Sequence, residues 1–226
     1  GTMMLISRAQ RKLIWAINKE ADTNIIYRNA ISEMAHEKEK LMISELNEFL
    51  KQTNCSIVQN VKFHREQTDN VETEIDISLY DERSKILLLL ECKDLLPMDN
   101  EFERNKLDEK LKEFAIDRAA KNSVVVNNLP KYMKEVHKTK SIPTNVQSII
   151  VSNHYGGSCT EGAPIAIISK VTLFRTLKIY SFDIAKSLAA ITSGAIMPRG
   201  IKIIEKKTKF NGYTLKGSMV DTSLIS

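Results

Sequence analysis

Five consecutive apolar residues, Ile86 to Leu90, run directly into Glu91-Cys92-Lys93. A short run with neither a two-residue nor a 3.6-residue period presents apolar side chains to both faces, so as a strand it must be covered on both sides. It is therefore expected at the centre of a sheet, with a carboxylate and an ammonium at its end. The preceding residues supply a partner: Glu74-Ile75-Asp76-Ile77-Ser78-Leu79 alternates polar and apolar, and Asp81-Glu82-Arg83-Ser84 is turn-like. This longest apolar run is far below the roughly 18–20 residues of a membrane span, so no membrane partner is expected.

Elements placed around this hairpin give an α/β chain. Ser7–Glu20, with Leu13, Ile14 and Ile17 on one side, reads as a short amphipathic helix, and Asn29–Lys51 reads as a longer one. Ile57–Phe63 is expected to be a strand. Glu101–Lys121, with Leu107, Leu111, Phe114 and Ala115 at helical spacing, reads as a crossover helix, followed by another over Leu129–Lys138. Val146–Val151 and Ala163–Ile168 are strand candidates, and Val171–Ile179 fits a strand or a helix. Phe182–Ile191 is a helix candidate, and Ile201–Ile204 and Tyr213–Leu215 are short strands around Asn211-Gly212. The expected organisation is a helical amino-terminal extension over 1–28, a core over 29–180, and a carboxyl-terminal helix with short strands over 181–226, packed on the core.

Thirty-three Lys and Arg against 28 Asp and Glu give a net charge of +5, a mild bias toward a polyanionic partner. Cys55, Cys92 and Cys159 are odd in number and contain no CxxC pair, so neither a disulfide framework nor a thiolate zinc site is expected. The first ten residues lack the long apolar region of a secretory signal, which leads to the expectation of a cytoplasmic protein.

The chemistry concentrates at the hairpin. Glu91 and Lys93 are two apart on one strand and share a face; Glu74, Asp76 and Ser78 share a face of the other. If Tyr80 pairs with Lys85, Glu91 lies opposite Glu74 and diagonally beside Asp76. Two carboxylates beside an apolar strand repel each other unless a cation neutralises them. Carboxylates without a His/Cys cluster suit Mg²⁺, or Mn²⁺, better than zinc. Asp76 and Glu91 are thus candidate metal ligands, with Lys93 positioned to orient or deprotonate a water or to supply positive charge. The same spacing also fits a solvent-facing row of ion pairs.

Glu74-Ile75-Asp76, followed by a strand ending Leu89-Leu90-Glu91-Cys92-Lys93, resembles the PD-(D/E)XK nuclease superfamily, with Ile75 where that motif often has proline. The resemblance spans about Glu37 to Ile168. It implies a restriction endonuclease-like three-layer core with a mixed central sheet flanked by helices. It also implies hydrolysis of nucleic-acid phosphodiesters, more of DNA than RNA, by a magnesium-dependent endonuclease with catalytic Asp76, Glu91 and Lys93. The family often adds a Glu from the helix before the sheet; Glu39, on the face of Met42, Ile43, Leu46 and Leu50, is the best match as a further ligand.

Lys62, His64 and Arg65 after the first strand, and Lys170 and Arg175 with Lys178 in the late segment, are candidate contacts to the nucleic-acid backbone. The loop His154-Tyr155-Gly156-Gly157 is placed to shape access to a cleft. A homodimer fits if both strands of a duplex are cut, and an additional domain or subunit is allowed because no ATPase or DNA-reading motif accompanies the site. The rival functions are a catalytically inactive nucleic-acid-binding module and a protein-interaction domain of a larger nuclease.

Overall fold

The computed structural model describes residues 25–64, 73–94, 101–153, 163–193, 203–210 and 213–220. The expected helix at Ser7–Glu20, Arg65 and the loop around His154 lie outside the described residues. In chain order the elements are α1 (Ile25–Leu50), β1 (Ser56–Phe63), β2 (Thr73–Asp81), β3 (Ile86–Lys93), α2 (Glu101–Asn127) and α3 (Leu129–Glu135). Then follow β4 (Asn145–Ser152), β5 (Ala166–Ser169), α4 (Lys170–Ile179), α5 (Ile184–Thr192), β6 (Ile203–Phe210) and β7 (Tyr213–Val220).

The first five strands form one mixed sheet in the order β1-β2-β3-β4-β5, antiparallel through β3 and parallel from β3 to β5. β3 is its central strand, as its unbroken apolar run requires, and Ile86 to Leu90 are all buried. On one face Met42, Leu46 and Leu50 of α1 and Leu173, Leu177, Ile184 and Leu188 of α4 and α5 pack with Ile77, Leu79, Leu88, Leu90 and Cys92. On the other face Leu87 and Leu89 pack with Val125, Tyr132 and Met133, and Leu107, Leu111 and Ala115 pack with Ile150 and Ile167. The result is a helix–sheet–helix layering around a sheet buried on both sides.

The segment that fitted strand or helix is α4. Its start is fixed by Ser169, whose Oγ accepts the Thr172 N–H at 3.0 Å, a capping bond that satisfies one of the open amides of the first turn. Asp183 caps α5 in the same way through the Lys186 N–H at 3.0 Å. β6 and β7 form a separate two-stranded antiparallel sheet whose pairing runs to Phe210 and Tyr213, longer than the expected short strands. No helix among the described residues is long and apolar enough to cross a membrane.

The β2–β3 register differs from the expected one. Tyr80 pairs with Leu87 rather than Lys85, and the hairpin closes at Asp81 and Ile86. Asp81 turns the chain through its own carboxylate, which accepts the Arg83 N–H at 3.1 Å and the Ser84 hydroxyl at 2.6 Å. Lys85 then takes a left-handed φ of 55°, uncommon for a side chain of this size. It is held there by its carbonyl, which accepts the N–H groups of Thr144 and Asn145 at the entrance to β4. A two-residue shift preserves which face each side chain occupies but moves the carboxylates relative to one another.

Candidate functional site

The β2–β3 ladder ends at Ile77 and Leu90. The next step along it brings Asp76 level with Glu91, where the expected register had set Glu74. At that step the backbone pairing stops, and Asp76 Oδ2 accepts the Cys92 N–H at 2.6 Å. A side chain has taken the amide that a regular ladder gives to a β2 carbonyl, so the strands part where the two carboxylates meet.

The other edge of β2 is irregular at the same place. The β1–β2 ladder pairs Gln59 with Ile77 and Val61 with Ile75 but passes over Asn60 and Asp76. Asn60 has a φ of 50°, a left-handed conformation that an Asn side chain tolerates better than most. Facing reverses here in both strands: Ile77 packs on the α1 face, whereas Ile75, two residues earlier, packs with Val61, Phe63 and Tyr80 on the other. Glu74, Asp76 and Ser78 therefore do not form the single continuous face that alternation implied.

Glu91 is buried, with 8% of its side chain exposed, between two cations. Lys93 Nζ lies 3.0 Å from Oε1, and Arg118 of α2 lies 2.5 Å from Oε2. Arg118 meets Glu91 through Nη2, a close charge-assisted contact between two largely buried groups. Arg118 also donates to the Glu74 carbonyl, so it ties β2 to β3 across the parting. Lys93 extends 3.6 Å to Glu39 Oε1 on α1 and sits 5.7 Å from the centre of the Phe114 ring.

These contacts set the charge states. Burial, followed by the charge of Glu91, pushes the Asp76 carboxyl up to about 6, against the opposing pull of the Cys92 N–H, Lys93 and Arg118. Burial alone lowers the Lys93 ammonium, but Glu91 and Glu39 outweigh it, and the net shift is upward. Lys93 is accordingly a firmly protonated cation. Burial also pushes the Cys92 thiol up, which leaves it an unreactive apolar group on the α1 face.

Of the residues proposed from sequence, the structure thus brings together Asp76, Glu91 and Lys93, and places Glu39 against Lys93. It does not gather Glu39 with the two other carboxylates: among the described residues no group of three or more His, Cys, Asp or Glu is close enough to hold a metal ion. The outer candidates make other contacts. Lys62 is exposed and pairs with Glu74 at 3.3 Å, and the His64 carbonyl accepts from Lys131 at 3.0 Å. Lys170 pairs with Glu45 of α1, Arg175 is exposed on α4, and Lys178 lies 5.7 Å over the Phe49 ring. Two surface clefts, of about 410 and 470 Å³, are lined by neither Asp76, Glu91 nor Lys93.

Arg118 was not anticipated, yet a signal for it exists. It falls three residues after Ala115 and seven after Leu111, on the buried stripe of α2 that continues to Asn122 and Val125. An arginine where helical spacing calls for an apolar residue needs a buried partner. Comparisons with protein-family models, with curated proteins and with solved structures give no match.

Proposed function

We propose that this protein is a divalent-metal-dependent nuclease of the restriction endonuclease-like kind, acting on nucleic-acid phosphodiesters and on DNA in preference to RNA. The observation that carries the reading is the meeting of Asp76 and Glu91 where the β2–β3 ladder stops, with the Lys93 ammonium 3.0 Å from Glu91. The mixed five-stranded sheet with helices on both faces agrees with it.

The donor set fits a hard cation. Glu91 is a carboxylate only 8% exposed, and Asp76 is held toward its neutral form by burial and by its like-charged neighbour. Both conditions are relieved by a cation bound between the carboxylates. Asp76 and Glu91 would hold Mg²⁺ or Mn²⁺, and Glu39 bears on the site through its 3.6 Å contact with Lys93 rather than as a ligand. Such an ion supplies an acidified water and a counter-charge for the phosphodiester oxygens.

The chain's own groups do the remaining work. Cys92 N–H fixes the Asp76 carboxylate in place, and Glu91 is held from both sides by Lys93 and Arg118. Lys93, kept protonated by Glu91 and Glu39, stabilises charge on a phosphate oxygen and orients water, a role better suited to an ammonium than proton abstraction. Lys62 and Arg175, both exposed, are backbone contacts in this reading.

The test is cleavage of supercoiled plasmid, linear DNA and single-stranded RNA in Mg²⁺, Mn²⁺ or EDTA by wild type, D76A and K93A. Metal-dependent cutting abolished in both variants supports the reading. Equal cutting by all three proteins rejects this site as the source, and tight salt-sensitive binding by wild type without cutting favours a binding module.

A further inference from the structure

A buried carboxylate pair needs counter-charge whether or not a metal is bound. Around Asp76 and Glu91 that charge comes from Lys93 and from Arg118. The two cations are not equivalent. Lys93 belongs to the same strand as Glu91, whereas Arg118 comes from α2 and bonds in addition to the Glu74 carbonyl on β2. Its side chain is only 12% exposed, so it is committed to this site rather than to solvent.

We infer that Arg118 is a placeholder for the divalent cation: it neutralises the carboxylate pair in the metal-free protein and keeps β2 and β3 in place across their parting. The inference rests on the proposed metal-dependent reading and makes Arg118 a positioning residue, not a catalytic one. Its Nη2 meets Glu91 while its Nη1 is engaged by the Glu74 carbonyl, so it does not grip the carboxylate with both prongs and yields more easily to a divalent ion than a bidentate pair would. Its bond to the Glu74 carbonyl keeps the guanidinium anchored while the charge on Glu91 is shared with the metal. Two cations near one carboxylate repel each other, so Arg118 and the metal must be antagonistic in binding, and the coupling acts equally in both directions.

Thermal melting and Mn²⁺ titration calorimetry of the full chain test this, using wild type, R118Q, R118K and E91Q in EDTA and in excess Mn²⁺. A Mn²⁺-induced rise in Tm for wild type that is absent in E91Q establishes that the carboxylate site binds the ion. R118Q is then expected to melt lower than wild type in EDTA, to gain more from Mn²⁺, and to bind it at least about 5-fold tighter. R118K, which keeps the charge but not the fork that spans Glu91 and the Glu74 carbonyl, is expected to fall between them. If R118Q does not fold in EDTA, folding restored by Mn²⁺ is the same result in stronger form, and R118K carries the comparison. An equal loss of Tm with and without Mn²⁺, or weaker Mn²⁺ binding in R118Q and R118K, overturns the placeholder role and leaves the metal site standing. Absence of any Mn²⁺ effect on wild type removes the metal reading itself, and the placeholder with it.

Discussion

Asp76 accepts the main-chain N–H of Cys92 at 2.6 Å, in the position where a backbone carbonyl of β2 continues an ordinary ladder. One carboxylate thus both ends the pairing of two strands and stands beside Glu91. The arrangement works against stability in the metal-free protein, because a buried acid is held next to another, and such strain is characteristic of a site shaped for a ligand.

The first prediction separates those two roles. D76A leaves the Cys92 N–H without its acceptor and is expected to be less stable than D76N by about 1–3 kcal/mol. D76N keeps an acceptor oxygen and removes the charge. Because the Asp76 pKa is raised on folding, its contribution to stability is fully present below about 3.9, the unfolded value, and is lost as pH rises through about 6. D76N should therefore melt higher than wild type in EDTA at pH 8, by roughly 2–4 °C per kcal/mol for a chain of this size, with no such advantage at pH 4. Melting curves at the two pH values check this; a D76N that is no more stable than wild type at pH 8 contradicts the assigned burial of charge.

The second prediction concerns activity. Acidification through about 6 protonates Asp76 and should weaken Mg²⁺ binding, so that the metal concentration for half-maximal cleavage rises as pH falls. K93A removes a cation that stays protonated across the same range; it should lower kcat about 100-fold or more and, because Lys93 helps to hold the Asp76 pKa down, shift that pH dependence to higher pH. Cleavage rates over a grid of pH and Mg²⁺ concentration distinguish the two effects.

The third prediction lies away from the site. His137 is buried with Nδ1 2.9 Å from Ser56 Oγ and Nε2 2.8 Å from Ser78 Oγ, while the Tyr132 hydroxyl donates to Ser78. Burial lowers its pKa to about 4. The depressed value means that its contribution is fully present above about 6.5 and is lost as pH falls through 4, to a limit of about 3 kcal/mol. Asp76 acts in the opposite sense over the same window, so the measurement belongs in a D76N background. There the protein should lose stability between pH 6.5 and 4, and H137Q should flatten that slope while lowering Tm at pH 7. An unchanged slope in H137Q would falsify the assignment.

The element pattern was legible because it rests on local periodicity. The apolar run Ile86–Leu90 pointed to a strand covered on both sides, and α1 and β4 followed from spacing to within a few residues, while α2 runs on past the expected Lys121 to Asn127. That Asp76 and Glu91 come close, with Lys93 beside Glu91, was legible because a two-residue error in register still leaves the two carboxylates near each other, whereas the single face expected for Glu74, Asp76 and Ser78 was not found. Glu39 was placed on the correct helical face, with Met42, Ile43, Leu46 and Leu50 all buried beside it, because α1 is regular there.

What the sequence by itself determined, then, is which residues belong to strands and helices and which ends of those strands carry charge. The tertiary structure alone decided how the charges meet. The register depends on Asp81 folding its carboxylate into the turn and on β4 holding Lys85 in a left-handed conformation, the latter through contacts 59 and 60 residues away along the chain. The reversal of facing at Asn60 and Asp76 is cooperative between two strands, and no alternation rule applied to one of them reveals it. The docking of Arg118 against Glu91 joins a helix to a strand through long-range packing. Periodicity is a property of a segment, whereas the energy of a buried charge is set by everything folded around it.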